Sequence, residues 1–286
     1  MGKNRIGRLQ KCHCGIRALV LFCLVVIASC HCAAHVAVEG ANGKCRLQYS
    51  GEMLVRCPRD ASDEIIVQPL TKRIGTNAFA NCMHVQSVVL PDGIESIGAF
   101  AFSGCERLSS LKIPSSVTNI GYAAFAGCRS LSRVNLPSNL QEIAFASFSR
   151  CGIETIRIPD GIMAIRASAF QGCRNLVRVE VASTTREIGE NAFALCTGLR
   201  EIAMPEGVQS VGRGSFWGCR ELESVSLPDS LVSLGNFAFG ECGKLQSVEF
   251  RGVPPHDLPW ASIFKGTPSG LRFYVAGSSC TVNELK

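Results

Sequence analysis

Residues 97–128 read IGAFAFSGCERLSSLKIPSSVTNIGYAAFAGC, and the end of this stretch repeats its beginning. Ile97 and Ile120, Gly98 and Gly121, Phe102 and Phe125, and Cys105 and Cys128 each stand 23 residues apart. The same frame extends outward in both directions. Phe79, Phe102, Phe125, Phe148, Phe170, Phe193, Phe216 and Phe239 each follow an Ala or a Ser, with one step of 22 between Phe148 and Phe170. Three residues after each phenylalanine stands a cysteine: Cys82, Cys105, Cys128, Cys151, Cys173, Cys196, Cys219 and Cys242. Five residues before each stands Ile, Val or Leu, from Ile74 to Leu234. The unit is I-G-x-x-A-F-x-G-C-x-x-L-x-x-V-x-L-P-x-x-V-x-x.

A unit this short cannot bury its own apolar side chains, so they must stack on the same positions of neighbouring units, and the fold is a solenoid. Within a unit L-x-x-V-x-L alternates apolar and polar, the period of a half-buried strand. Pro91, Pro114, Pro137, Pro159, Pro205 and Pro228 follow it. Proline has no N–H for a ladder, so it fixes where pairing stops. Parallel strands at about 4.8 Å give eight units an arc on the order of 40 Å. The small-Phe-x-x-Cys segment has near-helical apolar spacing but is too short for a full helix, so the expectation there is one short helical turn. The expected fold is therefore an α/β repeat, with a parallel sheet on the concave face and short helical turns on the opposite wall. The solenoid is placed at 64–252, in about eight 23-residue repeats.

The chain has 286 residues, 47% of them hydrophobic, enough to bury a core. Its formal charge of +6 is concentrated at the start. Lys3, Arg5, Arg8, Lys11 and Arg17 precede any acidic residue, and without residues 1–29 there remain 24 basic against 23 acidic side chains. That balance argues against nucleic acid as a partner. Ala18 to Ser29 is an apolar run behind the basic segment, shorter than the ~20 residues that span a bilayer, and 1–29 reads as a signal peptide. Two processing sites compete. Ile27-Ala28-Ser29-Cys30 has the form of a relaxed lipobox, which would make Cys30 the lipidated first residue and tie the protein to a membrane. Cleavage after Ala34 would release it. Either outcome exports the chain, to the periplasm, the outer surface or the medium.

Residues 30–63 and 253–286 read as a linker with N-terminal cap and a C-terminal cap, since an uncovered solenoid exposes its core at both ends. Cys45 and Cys57 bracket an alternating stretch, Leu47 to Val55, that suits a hairpin closed by a disulfide, although sequence alone does not fix connectivity. Beyond Val253-Pro254-Pro255, the bulky Trp260, Ile263, Phe264, Phe273 and Tyr274 suit the closing of the far end.

Eight of the 16 cysteines share one repeat position, which points to packing rather than a disulfide or metal framework. No close C-x-x-C pair with a histidine partner occurs in the repeats, so no metal is expected. After residue 34 the histidines are His35, His84 and His256, distant in sequence, and no phosphate loop, nucleophile elbow or H-E-x-x-H occurs. The expectation is a non-catalytic protein without a cofactor.

The repeat resembles the BspA-like, treponemal-type class of 23-residue leucine-rich repeats, in spacing, residue types and copy number, over residues 64 to about 275. The resemblance implies a curved right-handed solenoid of a bacterial envelope lipoprotein, in a family associated with adhesion to host proteins and other cells, and it implies no catalytic residues. Gly270 to Ser278 looks like the family's closing strand, with Ala276 where proline is common.

Solenoids of this type usually bind on the concave face. Its outward positions include Lys112, Arg133, Arg157 and Arg178 on four successive strands, with Asn135 among them and Glu180 and Glu201 turning the later end acidic. One reading makes this an adhesin-like site for a protein or acidic glycan, host-derived ligands included. The other makes these side chains a solvated surface. An alternative role for the whole chain is a periplasmic structural scaffold lipoprotein.

Overall fold

Each coil closes on a single column of phenylalanines. In the computed structural model, which describes residues 36–39, 46–275 and 278–280, the eight repeat phenylalanines are all buried and stack ring on ring. Neighbouring centroids lie 4.7–5.6 Å apart with the planes within 11° of parallel. Such offset stacks add about 0.5–1.5 kcal/mol per pair beyond burial of the rings. The repeat cysteines, leucines, valines and isoleucines pack around this column in one continuous core.

Two rows of short parallel strands run along the array. The expected row is the L-x-x-V-x-L segment: Ser62–Ile66, His84–Val89, Ser110–Leu111, Thr155–Arg157, Arg178–Glu180, Glu201–Ala203, Ser224–Leu227 and Ser247–Phe250. Equivalent positions pair in register, as Ile156 with Val179 and Val225 with Val248, so each inward residue lands on its counterpart. A second row consists of two-residue strands that include the aliphatic residue five before the phenylalanine: Arg73–Ile74, Ser96–Ile97, Asn119–Ile120, Glu142–Ile143, Ala164–Ile165, Glu187–Ile188, Ser210–Val211 and Ser233–Leu234. This second ladder is interrupted between Asn119–Ile120 and Glu142–Ile143. The break falls at the first coil without the repeat glycine, although Arg166 at the same position of the following coil leaves the ladder intact. A Cβ on Gly121 would stand 2.7 Å from the Ala99 backbone nitrogen, and the next coil carries Ala144 at the corresponding position.

The small-Phe-x-x-Cys wall is not helical, which corrects the sequence expectation. Alternate N–H groups leave the coil: Phe100 donates to the Tyr122 carbonyl, Phe102 to Ala124 and Gly104 to Ala126. Those between turn back three residues, Ala101 to Gly98, Ser103 to Phe100 and Cys105 to Phe102. An α-helix would direct each N–H to the carbonyl four residues back. Each coil also places two residues at left-handed φ, four apart: Asn77 and Asn81, Phe100 and Gly104, Ala123 and Gly127, and so on to Phe237 and Glu241. Those reversals prevent helix and aim the backbone at the next coil. Because this wall is hydrogen-bonded from coil to coil as the strand rows are, it lacks the 8–10 Å spacing that packed helices would impose. Among the described residues, helix is confined to Trp260–Ile263.

The two ends are closed by departures from the repeat. At the start, Val36–Glu39, Arg46–Ser50 and Met53–Arg56 form an antiparallel meander, and Met53–Arg56 passes its edge in parallel to Arg73–Ile74. Leu47, Tyr49 and Leu54 are buried against the first coil. At the end, Phe264 extends the phenylalanine column, its ring 5.7 Å from that of Phe239. Ser262, Ile263 and Lys265 offer the carbonyls that Phe237, Phe239 and Glu241 need. Arg272–Val275 then adds a parallel strand beside Ser247–Phe250, and Ser278–Cys280 turns back antiparallel. The described residues lie within one compact unit, His35–Lys286.

Candidate functional site on the strand face

Along the first strand row, inward residues such as Ile156, Val179 and Ile202 are buried, and the residues on either side of them face solvent. Those outward residues form two columns. The 23-residue step, shortened once, places Lys112, Asn135, Arg157 and Glu180 in one column, with Arg157 and Glu180 in direct register. The other holds Arg133, Thr155, Arg178 and Glu201, with Arg133 bridged to Thr155 and Thr155 in register with Arg178. All eight are exposed.

The four cations therefore do not form a row. They alternate between columns from coil to coil, not on four successive strands as the sequence suggests, since Arg133 makes only an isolated bridge; a neutral side chain separates successive cations within a column. Like charges directly opposite each other destabilise a sheet, whereas diagonal neighbours are roughly 7–8 Å apart. The zigzag thus concentrates positive charge without stacking it. Arg178 ends it by pairing with Glu180 at 3.2 Å. Among the described residues, no carboxylate lies within ion-pair distance of Lys112, Arg133 or Arg157, so the available positive field belongs to those three. Glu201 follows Arg178 in its column and marks where the face turns acidic. The zigzag could have been read from the sequence, because successive cations stand alternately two residues short of and two residues beyond the repeat step. The Arg178–Glu180 pair could not, because it depends on rotamers.

The cysteine column is chemically quiet. Each thiol from Cys105 to Cys242 donates to the carbonyl of the phenylalanine one coil earlier, at 3.0–3.3 Å. Burial pushes Cys173 and Cys242 up to about 12 and raises Cys105, Cys151, Cys196 and Cys219 as well. At neutral pH these are protonated donors, without the thiolate that nucleophilic attack or metal ligation needs. Cys82, near the N-terminal end, is shifted downward instead, chiefly by its hydrogen bond with Cys57. Cys57 is buried; its suggested partner Cys45, like the suggested lipidation residue Cys30 and the whole of 1–29, lies outside the described residues. His84 is exposed at the first repeat strand and His256 lies in the C-terminal cap, so the array separates them. Among the described residues, no helix is long and apolar enough to cross a membrane.

A family model described as the BspA type leucine rich repeat region matches residues 61–177 and 164–254, in six copies. Among solved structures, the chain is similar to a leucine rich cell surface protein of Faecalibacterium prausnitzii, with 26% identity and a TM-score of 0.48, over 73% of this chain and 64% of that one. It is also similar to the leucine rich repeat protein of T. pallidum, with 26% identity and a TM-score of 0.49, over 68% and 82% of the two chains. The pneumococcal vaccine antigen PcpA shares the fold at 22% identity and a TM-score of 0.50, over 76% of this chain and 57% of its own. No curated protein matches.

Proposed function

The chain belongs to the BspA-type leucine-rich-repeat family, and on that premise we propose that it is a non-catalytic, adhesin-like binding protein of the bacterial envelope that holds an anionic partner on its strand face. The partner class is an acidic protein segment or acidic glycan, host-derived ligands included. One observation carries the reading: Lys112, Arg133 and Arg157 are exposed on successive coils, and among the described residues no carboxylate lies within ion-pair distance of them. Asn135 between them adds a donor and an acceptor, and the paired Arg178 and Glu180, with Glu201 beyond, bound the site. Guanidinium groups bind carboxylate and sulfate in a bidentate fashion, which suits such ligands.

The double variant Arg133→Glu, Arg157→Glu tests it. The native protein is expected to be retained on immobilised heparin or polyglutamate at low salt and released as salt rises past the screening limit. The variant, folded to the same melting temperature, is expected to pass through. Equal retention of the two proteins would leave these side chains as a solvated surface only. Export belongs to the same reading, with Cys30 as the lipidated first residue and a membrane as its anchor. Mass spectrometry of the native N-terminus is expected to find acylated Cys30; a chain starting at His35 would instead mean release by the second cleavage.

A further inference from the structure

The turn wall follows the repeat until its seventh coil, Gly212-Arg213-Gly214-Ser215-Phe216-Trp217-Gly218. Two positions there break their columns. Gly214 stands between Asn191 of the coil before and Phe237 of the coil after, leaving a gap one coil wide. Trp217 stands between Ala194 and Gly240 in a column that holds small residues except at Gln171, and it is 39% exposed. Glycine makes room for both. A Cβ on Gly214 would come within 2.5 Å of Asn191 Oδ1, and one on Gly240 within 3.0 Å of Trp217 Cδ1. The result is a slot of about 380 Å³ lined by Glu190, Asn191, Arg213, Gly214, Trp217 and Phe237, a volume within the range of small-ligand sites.

The polar groups in the slot have neighbours within it. The Arg213 guanidinium lies 5.9 Å from the Phe237 ring centroid, with Lys265 Nζ at the same distance from that ring. The Asn191 side-chain amide donates to Glu190 Oε1 at 3.4 Å. Arg213 and Glu190 both line the slot, yet no ion pair joins them among the described residues. An indole, a guanidinium, an amide and a carboxylate thus line one small space, with the Glu190 carboxylate offsetting the Arg213 guanidinium among the lining groups and Lys265 just outside them.

We propose that this slot binds a neutral pyranose, its C–H face against the Trp217 indole and its vicinal hydroxyls between Arg213, Asn191 and Glu190. Hydroxyls both donate and accept, so neighbouring ones satisfy the guanidinium and amide as acceptors and the carboxylate as donors without bringing charge into the slot. The indole supplies a large rigid face at low entropic cost. This site is independent of the strand-face reading: it occupies another wall and shares no residue with it.

Trp217 reports on its own occupancy, because the second of the two tryptophans, Trp260, is buried in the cap. The protein is titrated with the methyl glycosides of glucose, galactose and mannose, with galacturonate and leucine alongside, following tryptophan emission. At least one neutral glycoside is expected to shift emission saturably, with a Kd on the order of 1 mM, and to do so equally in high salt. Arg213→Ala is expected to weaken binding about tenfold without moving the melting temperature, and Trp217→Ala to weaken it likewise by calorimetry. The assignment is overturned if no neutral glycoside gives a saturable response. It is overturned equally by a response confined to galacturonate and abolished by salt, by one confined to leucine, or by binding undiminished in both variants.

Discussion

Ser147 and Ser215 occupy the same place in their coils, directly before a stacked phenylalanine, and both are fully buried. The Ser215 hydroxyl donates between the carbonyls of Gly189, at 2.9 Å, and Gly212, at 2.7 Å. The Ser147 hydroxyl finds no partner among the described residues. A buried hydroxyl left unsatisfied costs about 1–3 kcal/mol of desolvation, and a satisfied one contributes about 1 kcal/mol. Ser147→Ala is therefore expected to raise stability by about 1 kcal/mol and Ser215→Ala to lower it by a similar amount; the two melting temperatures should move in opposite directions. The thiols set a pH dependence at the same scale. The folded values of Cys105, Cys151, Cys173, Cys196, Cys219 and Cys242 are raised, so below the ordinary thiol value folded and unfolded chains hold the same protons at these six. Above it the unfolded chain releases protons that the fold retains, and stability falls as pH climbs toward the folded value of about 12 for Cys173. Each such thiol contributes a slope of about 1.4 kcal/mol per pH unit in that window. Cys173→Ala should make the alkaline loss shallower by that amount in denaturant titrations, with no change in slope near neutrality.

At the scale of the coil, the repeat glycine lets neighbouring turns approach closely at positions such as Gly121. Gly121→Ala would push a Cβ to 2.7 Å from the Ala99 nitrogen, where backbone cannot yield as a side-chain end can. It is expected to destabilise by about 2 kcal/mol and to speed amide exchange at Gly121, whose N–H now donates to the Ile97 carbonyl at 2.8 Å. Unchanged exchange there would contradict the close-approach account. The first strand row was legible in the sequence because alternation and a terminal proline are local signals. The second row was not, since two residues are too few to show a period. The turn wall was misread for a definite reason: Ala-Phe-x-x-Cys has the same apolar spacing whether its N–H groups bond within the coil or to the next. Gly104, Gly127, Gly172 and Gly218, with Asn77, Asn81 and Asn191, did mark the left-handed positions. Phe100, Ala123 and Leu195 at equivalent places obscured them, because there the inter-coil bonds override residue preference. The zigzag of cations followed from repeat arithmetic alone. The slot at Trp217 did not, because it arises from what Gly214 and Gly240 leave out.

Across the whole molecule, each coil is stabilised only by its two neighbours, so position in the array matters as much as residue type. Phe125, with a ring on each side at 5.1 and 5.2 Å, is expected to cost about 3–5 kcal/mol when replaced by Ala. Phe264 stands at the end of the column, where its ring covers Phe239 on one side and meets Phe273 and Trp260 on the other. Removing it exposes the face of Phe239 and leaves the array with an open apolar end. Such an end is complementary to the corresponding end of another copy, because a solenoid presents the same apolar positions at each coil. Phe264→Ala is therefore expected to do two things that Phe125→Ala does not. It should promote concentration-dependent self-association, seen by light scattering after size exclusion, and it should free the amides of Ser233–Leu234 and Ser247–Phe250 to exchange before those of earlier strands. If Phe264→Ala stays monomeric and loses protection evenly along the chain, closure of that end depends instead on the strand pair Arg272–Val275 and Ser278–Cys280, and the stacked cap ring acts as filler.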